Sequence, residues 1–110
     1  MLEKARRIRK KEEFTRVFRS GKPLFFKEYG CRILKNNLPF NRLGFSFGKK
    51  QLPLATERNR ARRSLVASYQ QEQSSFPQGY DMIFFASKKP EKIEKETFQQ
   101  FIQFLKLKLS

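Results

Sequence analysis

The sequence predicts an α+β protein, a two-layer sandwich whose elements run in the order α-β-β-β-α-β-α. Three observations predict it. Lys11 to Arg19 and Phe98 to Leu109 repeat apolar residues at the three- and four-residue spacing of helices packed along one side. Leu24 to Leu34, Arg42 to Lys49 and Tyr80 to Ala86 alternate or run apolar as strands do. Between the last two lies a long segment without Gly or Pro, so the middle of the chain reads strand-helix-strand, a unit that pairs its strands in parallel. The 110 residues are expected to form one domain, 1–110, around a single core. Thirteen Phe and 3 Tyr supply the apolar surface that offsets the entropy of ordering so charged a chain.

Each element follows from local chemistry. In the first helix Phe14, Val17 and Phe18 share one stripe, and Ser20, Gly21 and Pro23 end it. One or two strands follow, with Tyr29, Cys31 and Ile33 on one side, and Asn36, Asn37 and Pro39 mark the next turn. Arg42 to Lys49 sends Leu43, Phe45 and Phe47 to the core face and Gly44, Ser46 and Gly48 to the other. That second face is almost bare backbone, which suits either close packing by a helix or a ligand lying against the sheet.

Pro53 precedes a helix from Thr56, its expected N-cap, to about Glu72. A polar loop, Gln73 to Gly79, leads into Tyr80 to Ala86, apolar enough for a central strand buried on both faces. Pro90 is expected at the first position of the last helix. There Phe98, Phe101, Ile102, Leu105 and Leu109 form the core stripe, and Glu91, Glu94 and Glu96 lie near the positive end of the dipole. Base rates favour a right-handed strand-helix-strand crossover in about 98% of cases.

Charge narrows the function. Lys and Arg number 25 against 10 acidic residues, a formal net charge of +15, so the chain attracts polyanions. The longest apolar run, Met82 to Ala86, is far short of the roughly 20 residues that span a bilayer. The basic N-terminal segment has no apolar stretch that would direct secretion. Cys31 has neither a second cysteine nor a histidine to pair with, so it is expected to be a buried strand residue in a reducing cytoplasm.

The charge concentrates in the second helix, where Arg58, Asn59, Arg60, Arg62 and Arg63 follow Lys49 and Lys50. At about 100 degrees per residue, Ala61, Leu65, Ser68 and Tyr69 share the arc that must pack on the sheet. Arg60 and Arg63 face away from it. Arg58 and Arg62 fall beside it, with their stems over apolar surface and their guanidinium heads reaching past the helix start. Together with the free N–H groups of the first turn, they make a phosphate site. A solvated charged face or a helix lying on anionic lipid would also carry arginines, but here the apolar side is narrow and is needed by the core. Nucleic acid is the expected partner.

Catalysis by this chain alone is not expected. It has no histidine to act as acid or base near neutral pH, and Asp81 is its only aspartate, too few for converging metal-binding carboxylates.

In order and spacing, these residues resemble the protein component of bacterial ribonuclease P. The resemblance runs from about Arg9 to Leu107. It rests on Phe14-Thr15-Arg16-Val17-Phe18 with Gly21, on Leu43 through Lys50, on Ala55 through Arg63 with its Arg-Asn-Arg core, and on Gly79-Tyr80-Asp81. Gly48 stands where the family commonly has Ser, Ala61 where a larger aliphatic is usual, and Val66 where a basic residue is frequent.

The resemblance implies a ribosomal S5 domain 2-like fold with a left-handed βαβ crossover, against the base rate. It also implies a protein subunit with no catalytic residue and no metal of its own, serving a catalytic RNA that binds Mg2+ and removes the 5′ leader of precursor tRNA. Lys49, Lys50, Arg58, Asn59, Arg60, Arg62 and Arg63 would bind RNA. Phe14, Arg16, Phe18 and Ser46 would line a leader cleft between the first helix and the sheet. The implied partners are catalytic RNA and precursor tRNA, with neither membrane nor obligate protein partner. The alternative from a different class is a ribosomal or other structural RNA-binding protein without a role in cleavage.

Overall fold

The computed structural model describes residues 2–110. Its elements are α1 (Lys11–Ser20), β1 (Lys22–Phe26), β2 (Tyr29–Lys35), β3 (Arg42–Phe45), α2 (Ala55–Glu72), β4 (Tyr80–Ala86) and α3 (Lys95–Leu109), after a short 3-10 turn at Lys4–Arg6. The strands form one sheet in the order β1-β2-β4-β3, with β3 and β4 parallel and the other pairs antiparallel. The order of α and β elements and the parallel pair are those the sequence predicts. No helix among the described residues is long and apolar enough to cross a membrane.

Alternation decides which face each residue serves. Tyr29, Cys31, Ile33, Leu43, Met82, Phe84 and Ala86 point from the sheet into the main core. There they meet Ala61, Leu65 and Tyr69 of α2 and Phe98, Phe101, Ile102 and Leu105 of α3. Each large apolar side chain buried there contributes about 1.5–3 kcal/mol. The thiol of Cys31 is fully enclosed, and burial pushes its pKa well above the ordinary value.

Helix α1 lies on the opposite face of the sheet, where Ile8, Val17 and Ile83 form a second, smaller cluster with Phe14 and Leu34. The sandwich of sheet and α2/α3 therefore carries α1 as an extra layer on its outer side. The polar interior is tied together at Asn41, whose amide donates to Tyr69 Oη at 3.1 Å and to the Pro77 carbonyl at 2.8 Å. Its Oδ1 accepts from the N–H of Tyr80 at 2.8 Å, which fixes the start of β4 beside β3.

Three boundaries differ from expectation. Strand β3 stops at Phe45, although Phe47 still stacks on Phe45 with ring centres 6.2 Å apart. Apolar alternation reports which side chains turn inward, not whether the backbone is still paired. Thr56 lies inside α2 and does not cap it. Leu54 is the N-cap residue, and its N–H donates to Glu57 Oε1 at 3.2 Å. Finally, α3 begins at Lys95 instead of Pro90. Pro90 is buried and Ile93 packs against the core, so tertiary contacts hold this stretch in an irregular path before the helix. Of Glu91, Glu94 and Glu96, only Glu96 lies in the first turn, while Glu94 is the N-cap residue.

Candidate nucleic-acid interface

The basic residues of α2 and the turn before it come to one edge of the sheet. Lys49 and Lys50 are exposed in a turn closed by the Leu52 N–H donating to the Gly48 carbonyl at 3.0 Å. Arg58 is half-buried, and its Nη1 donates to the carbonyls of Leu52 at 2.8 Å and Pro53 at 3.1 Å. Its head does reach back past the helix start, as the helical geometry predicts, and there it holds the turn in shape. Asn59, Arg60, Arg62 and Arg63 are all exposed.

The expected split of these arginines changes. Arg62 is not laid on the core: its Nη2 donates to Asn59 Oδ1 at 2.8 Å. Asn59, Arg62, Arg63, Val66, Ala67 and Gln70 form one stripe of α2 along a cleft of about 740 Å³. Arg63 thus joins Arg62, and Arg60 lies outside the stripe. A guanidinium on a long flexible stem follows local partners, so the position of its Cα on the helical wheel does not fix its head.

The other wall of this cleft is made by residues that helical and strand periodicity missed. The N-terminal segment runs alongside the edge strand β3, where Arg7 bridges to Leu43 and the Ile8 N–H donates to the Leu43 carbonyl at 2.8 Å. Arg7 and Arg9 line the cleft across from Arg62 and Arg63, over an apolar floor that includes Leu43 and Phe45. The available signal was the basic run from Lys4 to Lys11, which has no periodicity to place it. Two basic walls over an apolar floor suit a phosphate backbone whose sugars and bases contact the floor.

The residues named for a leader cleft lie on the other face, around α1. Gly44 is bare because Phe14 and Ile8 cover it: a Cβ there would stand 3.1 Å from the Phe14 ring and 3.1 Å from Ile8. Phe14 is therefore packed into the small cluster, whereas Phe18 is 37% exposed and Ser46 is exposed. Arg16 is tied down by Asp81, its Nη2 donating to Asp81 Oδ2 at 2.6 Å.

Asp81 is fully buried, and it also accepts from Arg42 Nε at 2.9 Å, Arg42 Nη2 at 2.7 Å and Asn36 Nδ2 at 2.9 Å. Arg42 in turn pairs with Glu13 of α1 through Nη1. The Asp81 hydrogen bond raises the pKa of Arg42 against the effect of burial. For Glu13, burial pushes upward, but the hydrogen bond from Arg42 and the backbone N–H of Lys10 outweigh it and leave the carboxyl below its usual value. The single aspartate is thus occupied by two arginines and an asparagine, which makes it a fastener of α1 to the sheet.

Comparison with known proteins agrees with this architecture. The family model described as Ribonuclease P matches residues 2–109. The chain is 33% identical to the ribonuclease P protein component of Caldanaerobacter subterraneus subsp. tengcongensis, covering 96% of this chain and 90% of that protein. It is 35% identical to that of Natranaerobius thermophilus, over 90% and 86% respectively.

Among solved structures, the RNase P protein of Staphylococcus aureus superposes with a TM-score of 0.81 at 24% identity, covering 96% of this chain and 95% of that one. That of Thermotoga maritima gives 0.80 at 25% identity, over 92% and 96%. By a match to the family model over nearly its whole length, the chain belongs to the ribonuclease P protein family.

Proposed function

We propose that the chain is the protein subunit of ribonuclease P, acting in the cytoplasm with a catalytic RNA to remove the 5′ leader of precursor tRNA. The observation that carries this reading is the two-walled basic cleft, with Arg7 and Arg9 facing Asn59, Arg62 and Arg63. Lys49, Lys50 and Arg60, exposed beside it, extend the positive surface over which catalytic RNA would be neutralised. Arg58 serves this surface mainly by shaping the turn before α2. The leader would lie on the opposite face, along α1, with Phe18 and Ser46 in contact with it and Phe14 and Arg16 setting the position of the helix.

Hydrolysis in this reading belongs to the RNA, which would hold the Mg2+ that activates water and leaves a 5′ phosphate on the mature tRNA. The chain contributes binding and orientation. Its buried Asp81 already accepts four hydrogen bonds from arginine and asparagine side chains, so it has little capacity left for a metal ion.

The test is cleavage of precursor tRNA at low magnesium, with ribonuclease P RNA present or omitted. Stimulation by the protein only when the RNA is present supports the reading. Cleavage by the protein alone, or no stimulation, overturns it. Phe18→Ala is a cleaner leader probe than Phe14→Ala, because Phe14 also packs against Gly44 and Ile8. The expected result is weaker binding of precursor tRNA with mature tRNA unchanged.

A further inference from the structure

The loop between β2 and β3 holds an apolar tip out in solvent. Leu38 is 36% exposed, and Pro39 beside it is exposed as well. The loop precedes β3, whereas Lys49 and Lys50 follow it, so the tip lies at the far end of the same sheet edge.

Both ends of this loop are tied down. The Asn36 N–H donates to the Gly79 carbonyl at 2.9 Å, and its side-chain amide donates to Asp81 Oδ1 at 2.9 Å and to the Phe40 carbonyl at 3.2 Å. Asn36 Oδ1 accepts from the Leu38 N–H at 2.8 Å, and the Asn41 N–H donates to Gln78 Oε1 at 3.0 Å. Asn37 takes a left-handed φ of 61°, which asparagine tolerates better than most residues. Gly79 gives the loop room, since a Cβ there would stand 3.3 Å from the Leu38 carbonyl. A tip fixed in this way loses little further freedom when something docks on it.

Arg6 supplies a cation at the same place. Its guanidinium lies over the Phe40 ring, 5.0 Å from the centroid, because Arg7 bridges to Leu43 in parallel and so sets Arg6 beside the start of β3. The ion pair that Arg6 makes, with Glu3 at 3.9 Å, is at the outer limit of such contacts. Lys4 and Lys35, both exposed, flank the two segments. An apolar tip beside a planar cation suits an unpaired nucleotide, whose base packs on the tip and whose phosphate meets the charge. The cleft argues for the same occupant, since Arg7, the residue after Arg6, lines it together with Arg9. A strand laid along β3 from Lys49 and Lys50 through that cleft runs on to Arg6 and Phe40.

We propose that Leu38 and Pro39, with Phe40 and Arg6, form a second contact for the catalytic RNA, separate from the arginines of α2, and that it takes one unpaired nucleotide. The proposal rests on the reading of the cleft as a site for that RNA.

The experiment measures binding of ribonuclease P RNA to the full chain across a salt titration, for wild type, Leu38→Ser, Arg6→Gln and Arg63→Ala. Leu38→Ser binds about fivefold more weakly, the equivalent of one stacked base, with an unchanged salt slope because no charge is removed. Arg6→Gln also weakens binding and lowers the slope by about 0.7–0.9, as one lost phosphate contact does. Acylation of the RNA 2′-hydroxyls shows a position that wild type protects and Leu38→Ser exposes, while the positions that depend on Arg63 stay protected. Thermal melts confirm that each variant is folded, and Arg6→Gln decides the matter should Leu38→Ser fail to fold.

Wild-type affinity in Leu38→Ser and Arg6→Gln, with a loss in Arg63→Ala, overturns the proposal and leaves the reading of the cleft standing. A loss seen with precursor tRNA but not with the catalytic RNA overturns it too. So does binding of polyglutamate, a probe for an acidic protein partner, that Arg6→Gln abolishes while affinity for the RNA is intact. Equal binding of the RNA by wild type and Arg63→Ala would instead overturn the reading of the cleft, and this proposal with it.

Discussion

Arg42 and Asp81 stand directly opposite each other across the parallel pair β3 and β4, and two hydrogen bonds, from Nε at 2.9 Å and Nη2 at 2.7 Å, join them. The same guanidinium pairs with Glu13, and the same carboxylate with Arg16, so this one contact couples the sheet to α1 from both sides. The aromatic surface along α1 depends on that coupling, because it fixes where the helix lies.

Removing Arg42 should therefore cost more than removing Arg16. Arg42→Ala leaves a buried carboxylate short of its main partner, a loss of about 3 kcal/mol. Arg16, 46% exposed at its side chain and giving Asp81 one bond, should cost about 1 kcal/mol when replaced by Ala. Urea unfolding of both variants checks the order. Equal losses would mean that the network does not divide as its geometry indicates.

Acid should loosen this fastening through Glu13. Its folded pKa lies below the ordinary value of 4.5, so its contribution to stability is present above about that pH. The contribution is lost as the pH falls through the lowered folded value. Glu13→Gln should start less stable at neutral pH and show a shallower decline in Tm below pH 4.5 than the wild type.

The arginines of α2 should separate into two kinds. Arg60→Ala and Arg63→Ala are expected to leave the thermal transition within about 0.5 kcal/mol of wild type, as exposed substitutions do. Each should weaken binding of the catalytic RNA and lower the salt slope by about 0.7–0.9 per phosphate contact removed. Arg58→Ala should lose about 1 kcal/mol of stability as well, because two carbonyls of the preceding turn lose their donor. Salt titrations paired with thermal melts distinguish the two kinds.

Cys31 should be inert while the protein is folded. Its thiol is fully buried and its pKa raised by burial, so both access and thiolate are lacking at neutral pH. A thiol reagent should label it at the rate of global unfolding, and rapidly in denaturant.

Much of this was legible in the chain. The arc of Ala61, Leu65, Ser68 and Tyr69 is the buried side of α2, and the alternation of Tyr29, Cys31 and Ile33 gives the core face of β2. Those patterns are local, and burial enforces them residue by residue. The start of α3 was not legible, because Pro90 suits both a first helical turn and an irregular approach, and only the packing of Pro90 and Ile93 separates the two.

By itself, the sequence determined the order of elements, the inward face of each and the concentration of positive charge, since period and composition record local preferences. Tertiary structure decided which charges act together. It brought Arg7 and Arg9 across from Arg62 and Arg63, bound Arg16 to a residue 65 positions away, and laid Arg6 over Phe40. These are meetings between distant segments, fixed by strand register and by the reach of long side chains, and no periodicity along the chain encodes them.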